Sequence, residues 1–502
     1  MPSLQSLLQH VSATVLGDPA VEIRGIQYDS RKVQPGDLFA CLPGTKVHGH
    51  QFIPEVIAAG AAALLVEDAG VVPAGMPAVV VADAREALAW IAAAFHGYPV
   101  DSLTLIGITG TNGKTTATTL LRQILLAAGH PTGLIGTMAY HIGDTVLKAP
   151  HTTPQAPDLQ ALFARMRDAG LTHAVMEVSS HALCLSRVTG CRFQAAAFTN
   201  LTQDHLDFHG TLEAYREAKL QLFTDPQYQP VGTPMISVIN ADDPNAAIFA
   251  QRALGPVRTF GITGGDYQAT EVELRPAGSR FTLRFPQGSL PVYTQLVGSF
   301  NVSNALTALA LAIELGINPV TAASALAEIP PVDGRFQRVP GSGNSTPTVV
   351  VDYAHTPDGL DKVLSTAHEI APGRVVVVFG CGGDRDRGKR PQMAAIAARW
   401  ARLVVVTSDN PRSEDPLRVI DDILAGFTPE ERARVWIAPD RAEAIRQAIH
   451  AANPADLVVL AGKGHEDYQI FADRTIHFDD REEATRALAT WPGERNGGTH
   501  PG

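Results

Sequence analysis

Cysteine is scarce in this chain: Cys41, Cys184, Cys191 and Cys381 are the four among 502 residues. None stands at the short spacing of a metal site, and four isolated thiols make no disulfide framework. The expectation is reduced thiols in a cytosolic protein. Basic residues are also in deficit. Lys and Arg number 40 against 51 Asp and Glu, a net charge of -11, where nucleic-acid binders carry a basic excess. No nucleic-acid partner is expected, although a local cationic pocket for an anionic small molecule stays open. Long apolar runs are missing as well. "AAGAAALLVEDAGVVPAG" is broken by Glu67, Asp68 and Pro73, short of the roughly 18 residues that a membrane span needs. "MPSLQSLLQHVSATVLGDP" has neither the basic start nor the continuous apolar centre of a secretion signal. No membrane partner and a cytoplasmic location are expected. There is no internal repeat, and the only biased tract is the tail "GERNGGTHPG", expected to be disordered.

What the chain does have is length, well beyond the size at which one hydrophobic core stops growing, so about three domains of roughly 100–200 residues each are expected. Residues 1 to about 100 mix short strands with Ala-rich helices, as in "IPEVIAAGAAALLVED", a small α/β domain. From "LTLIGITGTNGKTT" onward, apolar strands alternate with helices, which implies a mainly parallel sheet covered on both faces. "IPPVDGRFQRVPGSGNSTPT", rich in Gly, Pro and Ser, reads as a linker near residues 331–347. Beyond it, "TPTVVVDYAH", "RVVVVFGCGGDRD", "RLVVVTSDNPR" and "DLVVLAGKGHED" are strands that each end in a polar loop. In open parallel sheets ligands bind outside those carboxyl ends. The fold class is therefore α/β in three domains: an N-terminal one over 1–100, a central one with a mainly parallel sheet over 101–333, and a C-terminal Rossmann-like one over 334–502.

The sharpest motif is "GITGTNGKTT". A strand at Leu103–Ile108 feeds a Gly-rich turn and then a helix. Backbone N–H groups of such a loop cradle phosphates, Lys114 adds a point charge, and Thr115 can bind magnesium. The spacing departs from the standard P-loop, so the working unit is Gly110, Thr111, Asn112, Gly113, Lys114, Thr115 and Thr116. A structural turn with an exposed lysine is the bland alternative. Glu177 and His205 follow strands of the same domain; each alone is more often an ordinary loop residue, but with Thr115 they could make an oxygen-and-nitrogen magnesium site. Lys219 lies on the apolar stripe Leu212, Tyr215, Leu222, Phe223 of a helix. Either its ammonium snorkels to water, or it is buried and partly neutral, able to take up carbon dioxide as a carbamate.

The ordered set Gly110–Thr116, "HTTP", "EVSSHAL", "NLTQDHLDFHG", "YREAK", "GSFNVSNALTA", "VDGRFQRV", "DYAHTPDGL", "GCGGDRDRGKR", "DNPR" and "GKGHE" resembles the Mur ligases of peptidoglycan synthesis, from about Tyr28 to about Glu466. The resemblance implies an N-terminal domain for a uridine nucleotide, a central ATPase and a C-terminal domain for an incoming amino acid, with ATP, Mg2+ and a carbamate on Lys219. It implies metal ligands at Thr115, Glu177, His205 and Lys219, the last three catalytic together with Lys114. It places Asn301 and Asn304 at adenine, and Arg335 and Asp352 at ribose or phosphate. Tyr28, Ser30, Thr45, Lys46, Val47, Thr152, Thr153, Ser179, Arg187 and Lys219 fall at the UDP-MurNAc-dipeptide. In some relatives a glutamine stands two residues before the matching arginine; here it is Leu185. Arg385, Asp409, Asn410, Pro411, Arg412, Gly462 and Glu466 fall at the amino acid. The distal carboxylate of meso-diaminopimelate calls for a guanidinium fork, Arg412, and its distal ammonium for a carboxylate, Glu466. The implied reaction is amide formation between UDP-MurNAc-L-Ala-D-Glu and diaminopimelate through an acyl phosphate, by a monomer. L-Lysine or another diamino acid as the added amino acid, a P-loop kinase or ATPase, and a non-catalytic nucleotide-binding scaffold are the alternatives.

Overall fold

The computed structural model describes residues 1–44, 47–275, 277–343 and 345–493. The first sheet has five strands, in the spatial order Thr14–Leu16, Ala78–Val80, Ala63–Val66, Asp37–Ala40 and Gly25–Gln27. All neighbours are parallel except the first pair. Helix Ala84–Phe95 covers it. Asp83 caps that helix by accepting from the N–H groups of Arg85 and Glu86, and Leu88 and Ile91 enter the core.

The second sheet has eleven strands. Its centre is parallel: Thr104–Thr109 lies between His173–Glu177 and Ala195–Phe198. Thr132–Ile135, Ile236–Asn240 and Val257–Gly261 extend it. Both margins are antiparallel, Ala139–Ile142 and Thr145–Lys148 on one side and Tyr267–Arg275, Gly278–Phe285 and Gly288–Thr294 on the other. Central strands such as "TLIGIT" and "AAAF" are buried on both faces and carry no alternation. The marginal strand "YQATEVELR" alternates, because one side meets solvent. Helices Lys114–Ala127 and Ser299–Glu314 pack on one face, and Ala156–Asp168 and Leu212–Thr224 on the other.

The third sheet runs Gln337–Arg338, Thr348–Asp352, Leu457–Ala461, Val375–Phe379, Leu403–Val406, Val435–Ile437, parallel after its first pair. Here one expectation is corrected. The Gly/Pro/Ser-rich stretch near 331–347 is not a free linker, because Gln337 and Arg338 pair with Val351 and Val350. Phe336 and Val339 are buried. Burying each such side chain contributes about 1.5–3 kcal/mol toward docking the stretch.

Candidate functional site

The phosphate-type loop emerges from strand Thr104–Thr109 and ends at helix Lys114–Ala127. Gly113 caps the helix at φ +87, and a side chain there would meet Asn304 Oδ1 at 2.3 Å. Glycine thus brings the loop against the helix that carries Asn301 and Asn304. Asn304 Nδ2 donates to Asn301 Oδ1 (3.1 Å) and Asn301 Nδ2 to Val297 O (2.9 Å), so the two amides form one oriented chain. Thr111 N–H donates to Asn200 O (2.8 Å) and Asn112 N–H to Asn200 Oδ1 (2.9 Å), tying the loop to the segment that leads to His205.

Lys114 Nζ donates to Gly110 O and Thr111 O, at 2.8 Å each. Lys219 Nζ donates to the same Gly110 O at 2.8 Å and lies 4.4 Å from the centre of the Tyr215 ring. The snorkelling alternative for Lys219 is overturned: the residue is 1% exposed. Burial first, and the Lys114 charge next, hold its amine well below the usual lysine range. Burial likewise lowers Lys114. Glu177, 1% exposed, accepts from Thr137 N–H (2.8 Å) and Thr137 Oγ1 (3.0 Å). His205 sits at φ +53, with Nε2 3.4 Å from Asp204 Oδ2. Burial, with His181, Lys114 and Lys219 nearby, keeps its ring below the ordinary histidine range, against the pull of Asp204. Among the described residues no group of three His, Cys, Asp or Glu side chains could hold a metal ion by itself.

The third domain reaches this loop directly. Arg335 Nη2 donates to Thr115 Oγ1 (3.2 Å), and its guanidinium lies 4.6 Å from the Tyr353 ring centre. Asp352, the last residue of its strand, accepts from Phe336 N–H and Ala354 N–H at 2.7 Å each, and burial pushes its carboxyl up to about 6. Asp358 was not foreseen. It accepts from Asn112 Nδ2 (2.7 Å), Thr202 Oγ1 (3.3 Å) and Lys362 Nζ (2.8 Å). The only local signal was an acid in the first turn of helix Pro357–Ile370.

Of the residues expected at the nucleotide-linked substrate, Thr153, Ser179 and Arg187 are hydrogen-bonded together. Thr152 Oγ1 meets Thr137 Oγ1 (3.1 Å), and Thr153 Oγ1 donates to Glu177 O (2.8 Å). Thr153 Oγ1 also accepts from Ser179 N–H (3.1 Å). Arg187 Nη1 donates to Thr153 O (3.0 Å). Tyr28 Oη donates to Asp158 Oδ2 at 2.5 Å, and burial, then Asp158, raises its phenol. Ser30 opens the short turn Ser30–Lys32, and Val47 is exposed. Thr45 and Lys46 lie outside the described residues. Gln155 lines the same small cleft as Leu185 and Arg187, an amide close to where Leu185 offers none.

The amino-acid loops converge at the carboxyl end of the third sheet. Lys463, fully buried, lies 3.4 Å from Asp409 Oδ1 and 3.8 Å from Glu466 Oε2, and donates to Asn410 Oδ1 (3.2 Å) and Tyr468 O (2.6 Å). Asn410 Nδ2 donates to Glu466 Oε2 (2.9 Å), while burial and Asp409 raise the Glu466 carboxyl. Gly462, at φ +119, has a backbone conformation that favours glycine and stands next to Asp409. Arg412 takes φ +52, unusual for a side-chain-bearing residue. It is held there by Arg412 N–H to Ile470 O (3.1 Å) and Nη1 to Gly383 O (2.8 Å). Pro411 packs against Gly383, and Arg385, exposed, donates to Asp384 O (2.9 Å). Sequence reading missed Glu414, which clamps the two loops. It accepts from fully buried Arg390 (2.9 and 3.1 Å), from Arg387 (2.8 Å) and from Asp384 N–H (2.7 Å). The Arg390 hydrogen bonds hold its carboxyl down to about 2. Asp415 and Pro416 cap and open helix Pro416–Leu424 as their residue types suggest.

Three family models match in chain order: "Mur ligase family, catalytic domain" over 22–96, "Mur ligase middle domain" over 108–312 and "Mur ligase, glutamate ligase domain" over 334–464. The chain belongs to the Mur ligase family. It is 47% identical to the UDP-N-acetylmuramoyl-L-alanyl-D-glutamate–2,6-diaminopimelate ligase of Syntrophomonas wolfei, covering 93% of this chain and 95% of that protein. To the ligase of the same name from Gloeobacter violaceus it is 48% identical, with 97% and 98% covered. A solved structure of a ligase of that name matches with a TM-score of 0.69 at 34% identity, over 97% of this chain and 99% of the other.

Proposed function

We infer that this chain is an ATP-dependent ligase that joins meso-2,6-diaminopimelate to UDP-N-acetylmuramoyl-L-alanyl-D-glutamate in peptidoglycan precursor synthesis. The near-full-length identity to ligases of that name supports it. The structural observation that carries it is Lys114 and Lys219 on one carbonyl, Gly110 O, beside a loop touched by the third domain. The same reading divides the chain into units at 1–100, 101–333 and 334–502, acting as a cytoplasmic monomer.

In the mechanism, the N–H groups of Gly110–Thr116 and the helix start hold the ATP phosphates, with Lys114 as counter-charge. Asn301 and Asn304 orient adenine, and Arg335 and Asp352 the ribose and phosphates. The free D-glutamate carboxylate attacks the γ-phosphorus; the bond to ADP breaks and an acyl phosphate forms. The diaminopimelate amine then attacks that carbonyl, phosphate leaves, and the amine gives up a proton. Thr152, Thr153, Ser179 and Arg187 position the first substrate. Arg412 holds the distal carboxylate of the second and Glu466 its distal ammonium. Domain contacts at Asp358 and Arg335 exclude water that would hydrolyse the acyl phosphate.

Thr115, Glu177 and His205 would hold magnesium together with a carbamate on Lys219. A hydroxyl, a carboxylate, an imidazole kept neutral and an amine of low proton affinity suit that role, the set being completed by substrate phosphates. When bound, magnesium supplies charge neutralisation between carboxylate and triphosphate. The testing experiment is ADP release by the purified chain. It is expected only with magnesium, UDP-MurNAc-L-Ala-D-Glu and diaminopimelate all present. Release without an acceptor would point instead to an ATPase, and nucleotide binding without turnover to a scaffold.

A further inference from the structure

Arg441 is buried behind the end of strand Leu457–Ala461, where it opens helix Arg441–Ala451. Its guanidinium meets Asp480, the first residue of helix Asp480–Ala489, side-on: Nε to Oδ1 and Nη2 to Oδ2, at 2.7 Å each. Both side chains are 0% exposed. Nη2 also donates to Ala461 O at 3.0 Å. The N–H of that same peptide unit, on Gly462, donates to Asp352 O at 3.0 Å. The Ala461–Gly462 peptide plane is therefore held at both of its polar atoms, which sets the direction in which the chain enters the amino-acid loops. A Cβ on Gly462 would lie 3.5 Å from Asp409 Oδ2 and 4.0 Å from Arg441 Nη2. The carboxylate and the guanidinium thus approach the same side-chain-free space.

Stability alone is a poor reason for such a pair. A buried ion pair replaced by apolar side chains of similar volume often costs nothing. Arg441 Nη1 is, in addition, buried without a hydrogen-bond partner, which is unfavourable. Burial opposes the charge on this guanidinium; Asp480, and after it Asp409 and Glu466, outweigh burial and raise it above the usual range. Two of the three carboxylates that hold the charge thus belong to the loops around Gly462, not to the helix that Arg441 ties down.

We propose that Arg441, braced by Asp480, is a positioning residue for the incoming amino acid. It acts through the Ala461–Gly462 peptide and the Asp409 carboxylate, which it holds in register with Glu466. The proposal rests on the ligase reading above and adds to it two residues that stand behind the amino-acid loops.

Steady-state kinetics of the full chain test this, with Tm measured for each variant. Arg441→Met combined with Asp480→Leu removes both charges at once and is expected to keep a Tm near wild type. Its KM for diaminopimelate should rise about 10-fold, as for a lost hydrogen bond to a charged group. The KM values for ATP and for UDP-MurNAc-L-Ala-D-Glu should hold, and kcat should change less than the KM for diaminopimelate. Arg441→Lys keeps a cation but not the planar fork, and should recover part of the loss. Asp480→Asn leaves the contact with Ala461 O in place and should show the smallest rise. If the double variant does not fold, the two single variants carry the same comparison. A wild-type KM for diaminopimelate in the folded variants overturns the proposal. So does an equal rise in all three KM values, which would mark the pair as a tie between helices only. Failure of the wild type to join diaminopimelate to UDP-MurNAc-L-Ala-D-Glu overturns the ligase reading itself, before any variant is compared.

Discussion

At the phosphate loop, Lys114 and Lys219 both donate to the Gly110 carbonyl, and among the described residues neither has a carboxylate within salt-bridge distance. At the strand ends of the third sheet the buried cations do have carboxylate partners: Lys463 lies between Asp409 and Glu466, and Arg390 between Glu414 and Asp422. The two regions are both strand-to-loop sites, but they are built for different work. The first keeps desolvated amines beside main-chain oxygen, an arrangement suited to the anions proposed to bind there. The second gives its buried cations carboxylate partners within the protein, which fixes its loops around the position of Arg412, the group proposed to read a ligand. In such a network removing one partner costs more than the pair contributes.

Breaking the first region should have the largest effect. Lys219→Ala is expected to lower kcat by about 1,000-fold or more, in the range of losing a main electrostatic group, with partial rescue by a short carboxylic acid in the assay buffer. Full activity in the unrescued variant would remove the carbamate. A smaller, more selective effect is expected in the second region. Arg412→Ala should raise KM for diaminopimelate by about 100-fold, as for truncation of a charge-assisted pair, and leave ATP affinity near wild type. An unchanged KM for diaminopimelate would sink the assignment of Arg412.

The smallest effect sharpens the comparison through pH. The Glu414 carboxyl is held down to about 2 by its Arg390 hydrogen bonds, below its ordinary value of 4.5. A depressed carboxyl adds stability above its unfolded pKa and loses it as pH falls through the folded one. Glu414→Gln should therefore lower Tm at neutral pH, by roughly 2–4 °C per kcal/mol lost. The gap to wild type should narrow between about pH 4.5 and 2. A gap that stays constant to pH 2 would mean that the clamp does not act through the Glu414 charge.

These contrasts also mark how far the sequence could be read. The strand, Gly-rich turn and helix around Gly110–Thr116 are local, so periodicity and composition located them to within one or two residues. The strand tips of the third domain were legible for the same reason. Spacing placed Lys219 on an apolar stripe, but whether its ammonium was covered depended on a carbonyl 109 residues earlier, which no local pattern records. The antiparallel margins of the central sheet were missed because hairpin strands were merged into an alternating strand–helix pattern. The stretch at 331–347 misled because its Gly, Pro and Ser content hid Phe336 and Val339, which dock it. Asp358 meets Asn112 and Thr202 from another domain, and Glu414 meets a loop 24–30 residues earlier, contacts that only the fold brings together.

The central proposal is that the Arg412 guanidinium selects an amino acid with a second carboxylate. Its most direct test is phosphate release by the purified chain with ATP, magnesium and UDP-MurNAc-L-Ala-D-Glu, comparing meso-diaminopimelate with L-lysine. Because lysine leaves Arg412 without a partner, kcat/KM should favour diaminopimelate by at least about 100-fold. Equal rates, or a preference for lysine, would contradict it.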